Sequence, residues 1–193
     1  MIPHSNNLLD NFIAGWYTDV AICDNILQYF HTSTNKHLGY TGQDVIDPTI
    51  KDSIDCKLLD NLLLDDYFYK ILMPCIKQYK IKYPYCDNYT PWGLTENVNL
   101  QKYLPGGGYH QWHTERCNNI VPFSGRHLVF MTYLNTVSDQ GETEFFHQKI
   151  KFKPEKGLTL IWPADWTFTH RGIASLTEEK YIATGWLSFV NKN

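Results

Sequence analysis

This sequence predicts a mainly β domain with flanking helices, and three features of its patterning carry that expectation. Apolar residues at helical spacing fall ahead of residue 97. From Asn97 onward the chain turns to short alternating runs separated by turn residues, and no internal repeat, low-complexity tract or linker divides the 193 residues. Helices first and strands later favour a helix-buttressed antiparallel sandwich over an alternating α/β fold. The length suits one domain with a sizeable core.

Residues 1–17 read as an entry strand or loop whose apolar contacts are Leu8, Leu9, Phe12 and Ile13. Val20, Cys23, Ile26, Leu27 and Phe30 then recur at helical spacing behind an N-cap at Thr18 or Asp19, which predicts an amphipathic helix of about three turns. Residues 31–57 have no clear period and read as loop with short strands. A second helical region starts near Leu58, with Tyr69, Leu72, Met73, Ile76 and Tyr79 as its stripe. Pro74 inside that stripe should kink the helix or mark a first turn, because it lacks a donor and crowds the preceding turn. Tyr83, Tyr85, Tyr89 and Trp92 crowd the next loop, either covering the core edge or forming a groove for an extended peptide.

In the strand half, Asn97, Asn99, Gln101 and Tyr103 share one face, with Val98, Leu100 and Leu104 on the other; a polar inward face implies a cavity. Residues 127–135 set Leu128, Phe130 and Leu134 against Val129, Met131 and Tyr133. Further strands are expected over 144–152, 158–162 and 181–190, and Lys180, Ile182, Thr184 and Trp186 share a face at the last.

The formal net charge of -3 offers no broad basic surface, which argues against nucleic acid as a partner. The arginines, Arg116, Arg126 and Arg171, all lie in the second half beside the chemistry-bearing residues. Five cysteines at irregular spacing fit neither a disulfide framework nor a zinc knuckle, and imply a reducing compartment. No basic segment precedes an apolar run at the start, and no run of about 18 apolar residues occurs, so the expectation is a cytoplasmic protein without a membrane partner.

The chemistry concentrates between Tyr103 and Glu115. In an extended chain His113 and Glu115 project from one face, so an imidazole and a carboxylate can meet a common centre. His170 sits in a Thr-His-Arg-Gly turn, and Lys180 follows ten residues later. Two histidines and one carboxylate with positions left open is the ligand set of non-haem Fe(II) oxygenases. A zinc hydrolase would usually draw its ligands from a helical His-Glu-x-x-His, which is absent from the sequence. His110, of the wrong parity to share the face of His113, reads as a structural histidine, as do His127 and His147. Cys117 lacks the surroundings of a nucleophile, and the Gly106-Gly107-Gly108 run, without a phosphate loop's Lys, reads as a flexible turn.

From Asn97 to Phe189 the chain resembles the 2-oxoglutarate and Fe(II)-dependent oxygenases, most closely their prolyl 4-hydroxylase branch. The ordered matches are Tyr103 to Glu115, Tyr133-Leu134-Asn135, Gly141-Glu142-Thr143-Glu144-Phe145, Pro154 to Trp162, and His170 to Trp186 with its His-x10-Lys-x6-Trp spacing. The resemblance implies a double-stranded β-helix (jelly-roll) with an N-terminal helical buttress. It implies one domain over 1–193, with 1–96 as buttress and entry strands and 97–190 as the catalytic jelly-roll core. Where the prolyl hydroxylase branch usually carries Asp, this chain carries Glu115.

The same resemblance assigns His113, Glu115 and His170 to iron and catalysis, and Lys180 to the distal carboxylate of 2-oxoglutarate, a role that suits a buried ammonium in need of an anion. Tyr103, Tyr133 and Thr184 would add hydroxyl donors to that cosubstrate. O2 would be the second cosubstrate, with ascorbate as an accessory reductant. Tyr109, Trp112, Arg116 and Trp186 are expected to face the substrate, and Trp162 to wall the pocket. The loop 116–126 has the composition of a flap, which together with the tyrosine-rich segment would close over a proline-containing chain. The implied reaction couples oxidative decarboxylation of 2-oxoglutarate to hydroxylation of prolyl residues in a peptide or protein. A free amino acid or other small metabolite is the alternative substrate, and a catalytically idle peptide-binding jelly-roll the alternative of another class.

Overall fold

A computed structural model describes residues 1–42 and 45–190; residues 43 and 44, within the expected loop 31–57, and residues 191–193 lie outside that description. The first helix, α1 (Val20–Thr32), starts where the pattern places it, with the Asp19 side chain accepting from the Ala21 N–H and Ile22, Cys23, Ile26 and Phe30 turned inward. The second begins at α2 (Asn61–Asp66), capped by Asp60, and runs through a π-turn over Tyr67–Leu72 directly into α3 (Met73–Lys82). Pro74 falls in the first turn of α3, one of the two outcomes expected of it, and the widened turn before it absorbs the missing donor. The wider turn also shifts the helical phase. Tyr67, Ile71 and Leu72 point into the core, whereas Tyr69, expected on the stripe, is 65% exposed.

Strand β1 (Ile2–Pro3) and strand β2 (Ala14–Tyr17) flank a 3-10 turn at Ser5–Leu8. That turn and the positive φ of Phe12 direct Leu8, Leu9 and Phe12 to solvent, so of the four expected contacts Ile13 alone is buried. Among the described residues the remaining strands are β3 (His37–Leu38), β4 (Ile54–Lys57), β5 (Trp92–Leu94), β6 (Asn99–Tyr103), β7 (Arg126–Tyr133), β8 (Thr143–Phe145), β9 (Ile150–Phe152), β10 (Leu158–Pro163), β11 (His170–Gly172) and β12 (Lys180–Phe189). A large sheet runs β1-β2-β10-β7-β12-β6-β4-β3, with β5 added to the end of β12, and a small one runs β11-β8-β9. The pairings are antiparallel, with Ile182 of β12 opposite Tyr133 on one side and Gln101 on the other. The single strand expected over 144–152 is instead the β8–β9 hairpin, closed by Lys149 at positive φ and its N–H to the Phe145 carbonyl. Separation of helices from strands is incomplete, since β1 to β5 precede residue 97.

The large sheet is packed on both faces. Leu100, Leu128, Phe130, Ala183 and Leu187 meet the helices through Ile26, Phe30, Tyr67 and Ile71. A Cβ at Gly185 would lie 2.5 Å from the Phe130 ring, so that glycine makes room for a bulky side chain of this face. The other face carries Val129, Met131, Tyr133, Leu160, Trp162 and Ile182, packed against Phe145 and Phe152 of the small sheet. Leu104, expected beside Val98 and Leu100, lies past the end of β6 and is exposed. A cavity of about 520 Å³, lined from both sheets, opens on this second face.

Candidate metal centre and its cavity

Two segments converge to build the centre. After β6 the chain reverses through Pro105–Gly108, where Gly106 adopts φ +85° and donates its N–H to the Ser175 carbonyl at 2.7 Å. A Cβ at Gly107 would come within 2.8 Å of the Asp52 carbonyl oxygen. The glycine run is thus a pinned turn and not the flexible one expected. The chain then runs extended, and His113 and His170 exchange backbone hydrogen bonds of 3.0 and 2.9 Å. That bridge joins two candidate ligands that are far apart in sequence.

His113 Nε2 and His170 Nε2 each lie 3.6 Å from Glu115 Oε1, and the three ligand atoms all fall within 4.8 Å of one another. A divalent ion with bonds of about 2.1 Å fits between them. In each histidine Nδ1 faces a carbonyl at 3.0 Å, Gln111 for His113 and Phe168 for His170. Those carbonyls keep the hydrogen on Nδ1 and leave the Nε2 lone pair for a metal. Burial raises the Glu115 carboxyl, but the neighbouring His113 and His170 and the charge of Arg126 outweigh that and hold it down to about 2. Burial and the neighbouring His113 push His170 down to about 4, so both groups favour their metal-binding forms at neutral pH. Tyr109 stacks on the His113 ring, with centroids 3.6 Å apart.

Deeper in the same cavity is Lys180, 3% exposed, whose Nζ donates to the Gly141 and Ile173 carbonyls at 2.9 and 3.4 Å. Among the described residues no carboxylate comes within ion-pairing distance, and burial lowers its pKa to about 8. A buried ammonium without a counterion is a receptor for an anion.

The three expected hydroxyl donors differ from expectation in detail. Tyr103 lines the cavity, but its hydroxyl donates to Gln101 Oε1 at 2.6 Å. Tyr133 does not line it: its hydroxyl is spent on Thr143 Oγ1 at 2.7 Å, and Thr143 supplies the lining. Thr184 reaches the cavity, yet it donates to the Phe130 carbonyl at 2.9 Å, which leaves an acceptor there and not a donor.

Of the residues expected to face substrate, Tyr109 and Trp186 line the cavity, as does the wall residue Trp162. Trp112 and Arg116 do not. Alternation turns Trp112 away from the face of His113, onto Phe146 and the Arg171 guanidinium. Arg116 is drawn to Asp165 by a forked ion pair. Phe123 and Cys117 of the loop 116–126 reach the cavity, but Tyr83, Tyr85, Tyr89 and Trp92 do not. Tyr83 packs under Phe12, and Trp92 donates to the Cys86 carbonyl beside His127, so these two cover a core edge while Tyr85 and Tyr89 are exposed. His110, His127 and His147 lie outside the ligand cluster, as expected.

Sequence reasoning missed two features. Trp186 Nε1 donates to Glu115 Oε2 at 2.9 Å, and Arg126, buried and forked onto Glu96, reaches that oxygen at 3.4 Å. The outer arm of the cavity is floored by Asn99, Gln101 and a buried Lys51–Asp55 pair at 2.6 Å. The inward polar parity of Asn99 and Gln101 signalled the floor, but no local pattern linked it to Asp55.

Residues 98–188 match the model of the 2OG-Fe(II) oxygenase superfamily. A protein of Acanthamoeba polyphaga mimivirus named putative prolyl 4-hydroxylase is 27% identical over 111 residues, which cover 50% of this chain and 46% of that protein. The chain thus spans about half the length of the curated relative it matches. Among solved structures, the viral collagen prolyl hydroxylase of Paramecium Bursaria Chlorella virus-1 in its 2OG complex superposes with a TM-score of 0.67 at 18% identity, covering 94% of this chain and 98% of that one. A Trichoplax adhaerens prolyl hydroxylase in complex with a peptide fragment of the hypoxia inducible factor oxygen degradation domain gives 0.72 at 18% identity, covering 95% and 86%. These likenesses establish a shared fold. Among the described residues no helix is long and apolar enough to cross a membrane.

Proposed function

We propose, from a chain whose residues 98–188 match the 2OG-Fe(II) oxygenase superfamily, that it is an Fe(II)- and 2-oxoglutarate-dependent dioxygenase that hydroxylates prolyl residues in a peptide or protein. The observation that carries the reading is a single cavity holding both the His113–Glu115–His170 cluster and the Lys180 ammonium, which has no carboxylate partner among the described residues. One end suits a divalent ion and the other suits the far carboxylate of a keto diacid.

When bound, the metal and cosubstrate would supply the oxidation of the keto acid to succinate and CO2, and with it the activation of O2 for C–H hydroxylation. The chain's own part is placement. His113, Glu115 and His170 would hold the metal through three protein atoms. Lys180 fixes and neutralises an anion, with the hydroxyl-bearing Tyr103 and Thr143 beside it. Met131, Trp162 and Ile182 exclude water from that end. We also infer that the two sheets are the halves of a double-stranded β-helix, that residues 1–96 support it, and that 1–193 is one functional unit.

The names of the mimivirus and Trichoplax relatives support the prolyl substrate. The polar floor of Asn99, Gln101 and Asp55 favours a second reading, a free amino acid or other small polar metabolite. Proline-rich peptides and a pool of free amino acids, each incubated with iron-loaded protein, 2-oxoglutarate and O2, separate the two. A mass gain of about 16 Da on the peptides supports the first reading. A gain confined to a free metabolite transfers the case to the second, and wild-type protein that binds iron without consuming 2-oxoglutarate refutes both.

A further inference from the structure

Glu115 has one more rotor than an aspartate and so two ways to fail as a ligand: it can swing off the metal, or turn both oxygens onto it. The surroundings oppose both. Trp186 Nε1 donates to Oε2 at 2.9 Å, and Arg126 Nη1 reaches the same oxygen at 3.4 Å and the Glu115 carbonyl at 3.3 Å. Arg126 is itself fixed. Its Nε and Nη2 fork onto the two oxygens of Glu96 at 3.0 and 2.7 Å, and its guanidinium carbon lies 3.4 Å from the centre of the Trp186 ring and 4.5 Å from that of Phe123. Oε1 alone is left facing the two imidazoles.

We propose that Glu96, Arg126 and Trp186 form a carboxylate clamp, positioning residues that make Glu115 a one-oxygen ligand. The clamp rests on the metal reading given above and deepens it. Its parts come from the connection into β6, the start of β7 and the outer end of β12, which are neighbouring strands, so the sheet sets their spacing. Two donors on Oε2 draw charge from that oxygen and weaken it as a ligand, while the carboxylate as a whole stays ionised. An ion with six positions and three protein atoms keeps three for other ligands; a second glutamate oxygen would take one of them. The forked Glu96 matters because it fixes Arg126 beside Oε2 and offsets part of its charge, so that the guanidinium holds one glutamate oxygen without drawing the carboxylate off the metal.

The test needs neither substrate nor cosubstrate. Trp186→Phe keeps an aromatic ring beside Arg126 and removes the donor, and Glu96→Gln alters the clamp at a residue that touches no ligand atom. Fe(II) and Co(II) dissociation constants, measured without oxygen, should weaken by about ten- to a hundredfold in Trp186→Phe and by less in Glu96→Gln. The visible Co(II) spectrum should shift in both as Glu115 leaves its one-oxygen position, with far-UV circular dichroism unchanged. Wild-type affinity and spectrum in both variants would overturn the clamp and leave the metal site standing. A wild-type protein that binds neither ion would overturn the metal reading and the clamp together.

Discussion

The two faces of strands β7 and β12 answer to different demands. Toward the helices they present mostly apolar residues, Leu128, Phe130, Ala183 and Leu187, with Gly185 cut back so that Phe130 fits and the Thr132 hydroxyl bonded to that of Tyr67 at 2.8 Å. Toward the cavity the same strands present Tyr133, Lys180, Thr184 and Trp186, each with a polar atom bonded to a named partner. On the first face, volume and apolarity are what matter, and a change costs packing energy. On the second, partner geometry matters, and a change costs binding. Substitutions on the two faces should therefore separate stability from ligand affinity.

The largest separation is expected at the ligands and their apolar counterpart. His113→Ala and His170→Ala should each weaken Fe(II) binding by more than about a hundredfold, beyond the loss typical of supporting residues, with little change in Tm. Equilibrium dialysis with metal analysis measures it. Phe130→Ala should do the reverse, costing about 3–5 kcal/mol in denaturant titration while the folded fraction keeps its iron affinity. If the histidine variants unfold, or Phe130→Ala changes metal affinity directly, the two faces are not independent.

Lys180 belongs to both faces of the argument because its buried charge serves binding at the expense of stability. Its pKa of about 8 lies below the ordinary lysine value of 10.5, so between those pH values the unfolded chain holds the proton that the folded chain has released. Stability from this group accordingly rises with pH across that window, and below it the folded protein carries the full penalty. Lys180→Met should gain stability at pH 7, on the order of 3 kcal/mol, and lose that advantage by about pH 10.5. The same variant should bind 2-oxoglutarate at least about tenfold more weakly, for want of one charge-assisted contact. In the wild type, affinity should fall as pH passes above about 8, where the free site loses its charge. Isothermal titration at pH 7 and pH 9 reads both effects; equal affinity at the two values would remove Lys180 as the anchor.

What the sequence disclosed follows the same division. The alternation of Val129, Met131 and Tyr133 against Leu128 and Phe130 reports directly which face each occupies, because strand period is local. The ligands His113, Glu115 and His170 were legible through spacing and resemblance, and the structure brings them together. Partnerships across strands were not legible. Nothing near Arg126 points to Glu96, thirty residues away, or shows that Trp186 would hold Glu115 instead of facing substrate. Arg116 looked free until Asp165 was placed beside it. Tyr69 turned outward and Tyr67 filled the core because a π-turn changes the period on which the helical stripe was read.

The smallest effect sharpens the comparison most, because Tyr133 points to the cavity side without reaching the cavity. Its hydroxyl donates to Thr143 Oγ1 at 2.7 Å, with the Phe152 carbonyl 3.1 Å away, and burial raises its pKa, so it stays a neutral phenol at any working pH. If it acts on the cosubstrate it does so through Thr143, whose hydroxyl it orients toward the lining. Tyr133→Phe removes one buried neutral hydrogen bond and keeps the ring, which should cost about 1 kcal/mol of stability. Thr143 can then turn its hydroxyl to another acceptor, so 2-oxoglutarate affinity should change by less than about threefold, under 1 kcal/mol. Thr143→Val leaves the Tyr133 hydroxyl facing a methyl group at the cavity wall and should weaken the cosubstrate more than Tyr133→Phe does. Titrating both variants decides the order. A larger loss in Tyr133→Phe would mean that the phenol contacts the ligand directly, which would require its hydroxyl to leave Thr143 when the cavity fills.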